Sequence, residues 1–413
     1  VLRVLVVGNG AREHAIAKKL AQDDIELWAA MSKRNPGIAS LSRRVEIIDI
    51  DKPSDYDRFR GVDIAFIGPE APLAAGITDH LNGLGVPVVG PVRNLARLEW
   101  SKSWARIVLE ESGIPGNPEF KICRDLSEVR SFLKEHPDVA VKPDVLTGGK
   151  GVKLTGEHLH SAGEVERYAF EMIGNNGLVV LEEKLKGREF TLQAFVDGTH
   201  VEVMPLVRDF KRAYDGDRGP NTGSMGSFSC PDHGLPDLPA SAVDDGVEIM
   251  KRTVKALAQT VDEYRGFLYG GFMKTEKGVY LIEYNSRLGD PEAINVLSLL
   301  RGSLVDIGFS LVEGRLRKPS FSKEATVCVY VVPEGYPDAP KQDKPIKIGN
   351  LKDSELYYAS VYEDSGEIKT TGSRAVALLA KAETVAEARE RVYSDVSKVE
   401  GALFFRRDIA ADV

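Results

Sequence analysis

Short apolar runs alternate with stretches of helical spacing through the first hundred residues. Val1-Leu2-Arg3-Val4-Leu5-Val6-Val7 is almost continuously apolar, as expected of a parallel strand covered on both faces. Further apolar runs fall at 25–30, 45–50, 62–67 and 86–89, with helical spacing at 11–21 and 74–84 among them. This alternation predicts a doubly wound, Rossmann-like α/β domain with a parallel sheet over residues 1–100. Such sheets take their ligands in the loops at the carboxyl ends of the strands.

Beyond that point the pattern changes. Residues 91–111 read as helix. Strand-like runs at 119–122, 139–142, 151–154 and 178–181, with helical spacing at 127–135 and 162–173, predict a small α+β insertion spanning 119–185. Longer strands begin at Phe190, and Asp197-Gly198 is a hairpin turn signal. Residues 247–264 have helical spacing, and a second hairpin is expected over 267–274 and 279–285. The tail reads as another small α+β unit, with a strand at 327–332 and a helix at 386–396. The expected domains are 1–100, 101–322 with the insertion inside it, and 323–413; a single core rarely serves a chain of 413 residues.

Composition narrows the class. Hydrophobic residues make up 43% and charged residues 28%, which is ordinary for a globular protein. No apolar run approaches the roughly 18 residues of a membrane-spanning helix. The first strand runs into a glycine turn rather than toward a cleavage site, so no secretion signal is expected. Cys123, Cys230 and Cys328 lie far apart with no C-x-x-C, which points away from a disulfide framework and toward a reducing cytoplasm. The net charge of -8, without a long basic run, argues against nucleic acid as the main partner and leaves small phosphorylated ligands open.

Four constellations carry chemistry. Gly8-Asn9-Gly10-Ala11-Arg12-Glu13-His14 follows a strand and opens a helix, where backbone N–H groups favour an anion. The dinucleotide fingerprint wants glycine at its last position, and Glu13 stands there, so a phosphate or sugar phosphate is expected in preference to NAD. His14 reads as a hydrogen-bonding residue of the helix start. Gly68-Pro69-Glu70-Ala71-Pro72-Leu73 holds the same position at another strand end, so the two loops could meet over one ligand. In the second constellation Lys142 emerges at a strand end ahead of the turn Gly148-Gly149-Lys150-Gly151, a pattern suited to phosphate but without a Walker lysine opening a helix.

The third is Leu281-Ile282-Glu283-Tyr284-Asn285-Ser286-Arg287-Leu288-Gly289-Asp290-Pro291-Glu292. Glu283 and Asn285 share one face of a strand about 7 Å apart, and are expected on the face of Leu281. Two such oxygen donors suit magnesium, which takes its remaining oxygens from phosphates and water. Arg287 just beyond could grip a carboxylate or phosphate in two places. The fourth is the loop 208–226, dense in charge, glycine and amide, which reads as a substrate-handling segment. Taken singly, each has a bland rival: a tight turn, a basic hairpin, a solvated strand end, a solvated loop.

In this order the pieces resemble the ATP-grasp superfamily, and within it the phosphoribosylamine–glycine ligase family, over essentially the whole chain. The most specific are Gly10-Ala11-Arg12-Glu13-His14-Ala15, Gly68 to Leu73, Gly219-Pro220-Asn221-Thr222-Gly223 with Met225-Gly226, and Arg287 to Glu292. The resemblance implies an ATP-grasp core of two subdomains that clamps ATP with magnesium or manganese. It implies phosphate-binding roles for Lys102 and Lys142, a lid made of Gly148, Gly149, Lys150 and Gly151, adenine reading by Glu182 and the Leu185 backbone, and ribose binding by Glu189. Glu283 and Asn285 match the family's metal ligands. Asp209, Asn221 and Arg287 fall around the glycine and the amine, while Gly8, Gly10, Arg12, Glu13 and Glu70 face the sugar phosphate. Lys142 and Arg287 are the catalytic candidates. Departures from the family pattern include Ser224, Ser373 and Ala410, each standing where glycine is usual, with Leu288 and Ile294.

The activity so implied is ATP-dependent ligation of glycine to 5-phosphoribosylamine through glycyl phosphate, by a cytoplasmic enzyme acting as a monomer on small molecules. Another ATP-grasp carboxylate–amine ligase would share Lys142 and Glu283 but not the loops 68–73 and 219–226. A nicotinamide-dependent oxidoreductase would use the first domain alone. A non-catalytic nucleotide-binding regulator would have no need of the Glu283/Asn285 pair.

Overall fold

The computed structural model describes residues 1–146 and 151–413. Strands β1 (Leu2–Val7), β2 (Ile25–Met31), β3 (Arg44–Ile47), β4 (Ile64–Ile67) and β5 (Val88–Val89) form a parallel sheet in the order β3-β2-β1-β4-β5. The chain builds outward from β1 to β3 and then returns to the other side of β1, so strand order reverses between β1 and β4. A crevice opens at such a switch point. The loop into α1 (Ala11–Leu20) and the loop into α3 (Glu70–Ala75) both leave the sheet there.

Two helices that read as single are each broken. Residues 74–84 divide into α3 and α4 (Ile77–Gly83) because Gly76, at φ 85°, ends α3 in the left-handed region. Residues 91–111 divide into α5 (Arg93–Trp100) and α6 (Lys102–Glu111) at Ser101, whose hydroxyl accepts from Trp104 N–H and caps α6. The break places Glu99 and Lys102 on either side of a corner.

The insertion contains β6 (Phe120–Cys123), α7 (Leu126–Glu135), β7 (Val139–Pro143), β8 (Lys153–Leu154), α8 (Ala162–Asn176) and β9 (Val179–Glu183). Its antiparallel sheet runs β6-β9-β7-β8 over a core of its own that includes Val129, Val141, Val165 and Leu181. Next come β10 (Arg188–Asp197), β11 (Val201–Val203), β12 (Arg208–Asp209), β13 (Arg212–Tyr214), β14 (Arg218–Asn221) and β15 (Gly226–Ser229). Helix α9 (Ala240–Thr260) leads to the hairpin β16 (Arg265–Thr275) and β17 (Gly278–Asn285), giving a sheet β11-β10-β16-β17.

Helix α10 (Glu292–Leu299) starts just past the hairpin. In the tail, β18 (Leu300–Arg301) pairs with β19 (Ser320–Phe321), and then β20 (Ala325–Pro333), β21 (Pro345–Ile348), β22 (Glu355–Tyr358), β23 (Val361–Asp364), β24 (Glu367–Thr370) and β25 (Val376–Ala382) follow. The larger tail sheet has the order β12-β15-β20-β25-β22. It joins strands from both sides of residue 323, so both ends of the loop 208–226 are sewn into it: Asp209 pairs with Ser227, and Gly226 with Val329.

His14 is a structural residue. Its Nδ1 accepts the Tyr358 N–H at 2.9 Å, and its ring packs on Tyr357 and Tyr358, tying α1 to β22. Burial, then nearby Lys18, pushes its pKa down to about 3. Between that value and the usual 6.5 the unfolded chain binds a proton that the folded chain refuses, so this contribution is lost as pH falls through the window. Relative to a His14→Gln variant, the wild-type chain should lose about 2 kcal/mol of stability between pH 7 and pH 5 in chemical unfolding. A constant difference across that range would show that the histidine is protonated in the fold.

Candidate active site

Two cavities meet over the end of the β16–β17 hairpin. The larger, about 850 Å³, is bounded by Lys142, Glu189, Phe190, Asn221 and Ile282. The smaller, about 340 Å³, is bounded by Arg12, Glu70, Glu99, Lys102, Arg287 and Glu292. Val152, Asp209, Lys211, Thr222 and Glu283 line both. A further cavity of about 520 Å³ lies between α6 and α7 and contains none of the motif residues.

The strand that carries Glu283 and Asn285 differs from its expected alternation. Gly271 of β16 faces Glu283, whereas Phe272 faces Leu281, so Ile282 is an extra residue in a β-bulge. The expectation that Glu283 shares a face with Leu281 is therefore incorrect. Leu281 and Tyr284 fall on the core face opposite Phe272 and Gly270, and the Tyr284 hydroxyl meets Thr253 of α9 at 2.8 Å. Glu283 and Asn285 fall together on the other face. Among the described residues Glu283 has no ion pair, and Asn285 Oδ1 accepts only a long 3.4 Å contact from Arg287. No group of three or more His, Cys, Asp or Glu side chains among them could cage a metal. One carboxylate and one amide oxygen, half-buried beside a large cavity, fit a cation that completes its shell with phosphate oxygens and water.

The bulge also frees a carbonyl. Ile282 O accepts from Lys142 Nζ at 2.8 Å and from Arg106 Nη2 at 2.7 Å, while Leu281 O accepts from Arg106 Nη1 at 2.9 Å. Both cations meet Glu182, Arg106 at 2.7 Å and Lys142 at 2.8 Å, and the three side chains are 3–5% exposed. Burial alone would raise the Glu182 carboxyl, but Arg106 and then Lys142 overcome it and hold it below its usual range. Burial lowers Lys142, with Glu182 opposing. The Glu182 side chain thus positions Lys142, and neither it nor Leu185 lines the two cavities. Lys102 Nζ donates to Val145 O at 2.5 Å. Gly148, Gly149 and Lys150 lie outside the described residues; Gly151 accepts from the Tyr168 hydroxyl at 2.6 Å.

In the smaller cavity the two glycine loops do meet. Glu13 folds back so that its carboxylate accepts from Gly10 N–H at 2.7 Å and Arg12 Nε at 2.6 Å, and its side chain packs on Gly8 and Gly68. A Cβ at either glycine would collide with Glu13, so both positions need glycine. Glu13 is 2% exposed and braces the loop, leaving Arg12 and Glu70 at the cavity wall. It also takes the Gly10 N–H that a dinucleotide pyrophosphate would use. Arg287 lies 3.3 Å from Glu70 and 2.9 Å from Glu99. The Nε faces the Glu70 carboxylate, and the Nη2 faces Glu99, so the guanidinium is held between two carboxylates at the cavity wall. Burial pushes the Glu99 carboxyl up to about 6 against the pull of Arg287. Opposite, burial and then Asp209 push Glu292 up to about 7, and the Tyr269 hydroxyl donates to it at 3.3 Å.

The comparisons with known proteins cover the same ground. Phosphoribosylglycinamide synthetase domain families match in chain order: the N domain over residues 2–99, the ATP-grasp (A) domain over 100–293 and the C domain over 326–412. The chain belongs to this family. It is 47% identical to the phosphoribosylamine–glycine ligase of Methanoregula boonei, over 99% of this chain and 96% of the relative. It is 46% identical to that of Methanothermobacter thermautotrophicus over the same shares. The crystal structure of phosphoribosylamine–glycine ligase from Thermotoga maritima superposes with a TM-score of 0.87 at 30% identity, over 99% of this chain and all of that one. A biotin carboxylase from Campylobacter jejuni shares the fold alone, at 12% identity and a TM-score of 0.76.

Within this family fold, the charged residues of the smaller cavity that had no assignment from the sequence include Glu99, Lys211, Glu292 and Arg374. Glu99 and Glu292 stand in helices of mixed composition. Arg374 arrives from the tail, donating to Ser224 O and Asp290 O at 3.1 Å. Lys211 sat in a charge-dense loop with nothing to rank it. Two of the three departures at usual glycine positions share a physical feature that Ser373 lacks: Ser224 has φ 93° and Ala410 φ 56°. Each bears a left-handed conformation that costs an L residue about 1 kcal/mol. Ser224 offsets this by donating its hydroxyl to Gly226 O at 2.9 Å. The three thiols are buried and unpaired, and no helix among the described residues is long and apolar enough to cross a membrane.

Proposed function

We propose that the chain is an ATP-dependent carbon–nitrogen ligase that joins glycine to 5-phosphoribosylamine, releasing glycinamide ribonucleotide, ADP and phosphate. The observation that carries this reading is the meeting of two cavities at Glu283. The larger suits a nucleotide, and the smaller carries the paired glycine loops and a cluster of arginines and carboxylates. Relatives that share nearly half of the residues carry the name of this activity.

A carboxylate is a poor electrophile until its oxygen becomes a leaving group. The glycine carboxylate attacks the γ-phosphorus, and the bond to the β,γ-bridging oxygen breaks toward ADP. Glycyl phosphate is then attacked by the amine, the C–N bond forms, and phosphate leaves. Positioning and charge neutralisation are the main work. Magnesium or manganese, held by Glu283 and Asn285, would supply charge neutralisation on the phosphates. Lys142, fixed by Glu182 and the Ile282 carbonyl, presents one charge to the nucleotide cavity. Glu189 lines that cavity as the residue for the ribose, and Asn221 lines it as a residue for the glycine and the amine. Arg287, at the wall of the smaller cavity between Glu70 and Glu99, supplies a positive charge for the substrate carboxylate, and Asp209 offers a carboxylate to an ammonium group. Arg12 and Glu70 face the sugar phosphate from the two loops that Gly8, Gly10 and Glu13 hold together, at the switch point of the first sheet. The free thiols suit a reducing compartment such as the cytoplasm.

ADP release tests the reading. It should require glycine and freshly made phosphoribosylamine together, with glycinamide ribonucleotide as product. Release supported instead by a different acid or amine would overturn the substrates and keep the reaction class.

A further inference from the structure

The loop 208–226 brings Asp209 and Thr222 to the wall that the two cavities share, and Asn221 to the larger one. Between those residues the chain runs out into the hairpin β13–β14, which turns at Asp215, Gly216 and Asp217. The two strands pair with each other and, among the described residues, with no further strand. Ala213 is the one buried residue of the hairpin. A lone two-stranded hairpin is marginally stable in water, so a neighbour must fix it.

The last stretch of the tail is that neighbour. Arg406, with a side chain 1% exposed, donates from Nη1 to Arg212 O at 3.1 Å and to Asp217 Oδ1 at 2.8 Å. Asp408 grips the other edge of the guanidinium, accepting from Nε and Nη2 at 2.7 Å each, and also accepts the Gly216 N–H at 2.8 Å. Arg407 N–H donates to Asp215 Oδ1 at 2.8 Å. The hairpin is thus held at its turn and along its first strand by three successive tail residues. At its base, Lys211 O accepts from Thr222 N at 2.7 Å and Thr222 Oγ1 at 2.8 Å. A shift of the hairpin is therefore passed to the residues at the cavity wall.

We infer that Arg406 is a positioning residue: from outside both cavities it clamps the β13–β14 hairpin, and through it sets Asp209, Asn221 and Thr222 for the joining of glycine to the amine. The inference rests on the ligase reading and gives the tail a part in the reaction. Arginine suits the place. Its planar fork meets a carboxylate along one edge and still reaches two acceptors from the remaining nitrogen, which the single ammonium of lysine does not match.

Steady-state kinetics and hydrogen exchange together test the clamp. Arg406→Met should lower kcat/KM for glycine by roughly 10²-fold, the cost of misplacing reacting groups by about 1 Å. The loss should divide between a KM raised about tenfold and a kcat lowered about tenfold. Affinity for ADP should stay within about threefold, because Lys142 takes its place from Glu182 and Ile282 O. Amide exchange over 212–222, read by mass spectrometry, should quicken about tenfold or more. Asp408→Asn weakens the same clamp from the tail side and should raise the glycine KM at least about threefold; it decides the matter if Arg406→Met does not fold. An enzyme merely short of folded molecules loses kcat with KM unaltered, so that pattern overturns the assignment. Unchanged exchange over 212–222 also overturns it, as does an ADP affinity that falls as far as kcat/KM. Wild-type protein that makes no glycinamide ribonucleotide from glycine and phosphoribosylamine would bring down the ligase reading, and this inference with it.

Discussion

Glu283→Ala should lower turnover by roughly 10³-fold while the protein stays folded, because it removes the one carboxylate of the donor pair at the meeting of the two cavities. The stability change should be within about 0.5 kcal/mol. Glu283 is half-buried on the cavity face of β17 and has no ion pair among the described residues, so its removal orphans no partner. Steady-state kinetics with saturating magnesium, beside far-ultraviolet circular dichroism and an unfolding curve, reads both halves of the expectation. An alanine variant retaining a tenth or more of wild-type activity would dismiss Glu283 as a metal ligand; loss of the fold would make it a structural residue of the bulge.

Arg106→Met should do the opposite, striking stability and nucleotide binding together. The guanidinium makes two contacts to Glu182, at 2.7 and 2.9 Å, and two to the carbonyls of the bulge. Its loss leaves a buried carboxylate with Lys142 as its remaining cation, and a carbonyl with one donor fewer. Breaking a buried ion pair from one side costs about 3–5 kcal/mol. Lys142 would then be drawn toward Glu182, so affinity for ADP should also fall, by about tenfold or more. Calorimetric titration with ADP and denaturant unfolding measure the two effects. Unchanged ADP affinity in a destabilised variant would show that Arg106 supports the fold without acting on Lys142. Arg106→Lys tests geometry against charge: a lysine retains the charge but cannot fork, so it should restore only part of both losses.

The first sheet was legible from the chain because parallel strands buried on both faces leave apolar runs at short, regular intervals. β1, β4 and β5 fall within the predicted segments for that reason, and β2 overruns its segment by one residue, Met31. Helix interruptions at Gly76 and Ser101 were less visible. Apolar spacing continues through both breaks, and the features that end the helices are one left-handed glycine and one capping hydroxyl. Of the candidate residues, those in glycine-rich or strand-end motifs stood out, since such sites demand unusual backbone. Glu99 did not stand out: a single glutamate in a helix resembles any solvated one until Arg287 is seen 2.9 Å away.

By itself, then, the sequence determined the class of chemistry. Glycine loops at two strand ends, a strand carrying Glu283 and Asn285, and Arg287 beyond it are local patterns with local physical reasons. Tertiary structure decided which face and which partner. The bulge at Ile282 depends on the neighbouring strand, because an extra residue is defined only against the ladder it interrupts. It reverses the expected relation of Leu281 to Glu283 and supplies the carbonyl that holds Lys142. The ionic partners of the site are long-range in the same sense: Glu99 meets Ser286 N–H across 187 positions, and Arg374 reaches the 208–226 loop from the tail. Coulomb energy depends on separation in space and on burial, neither of which is written in residue order.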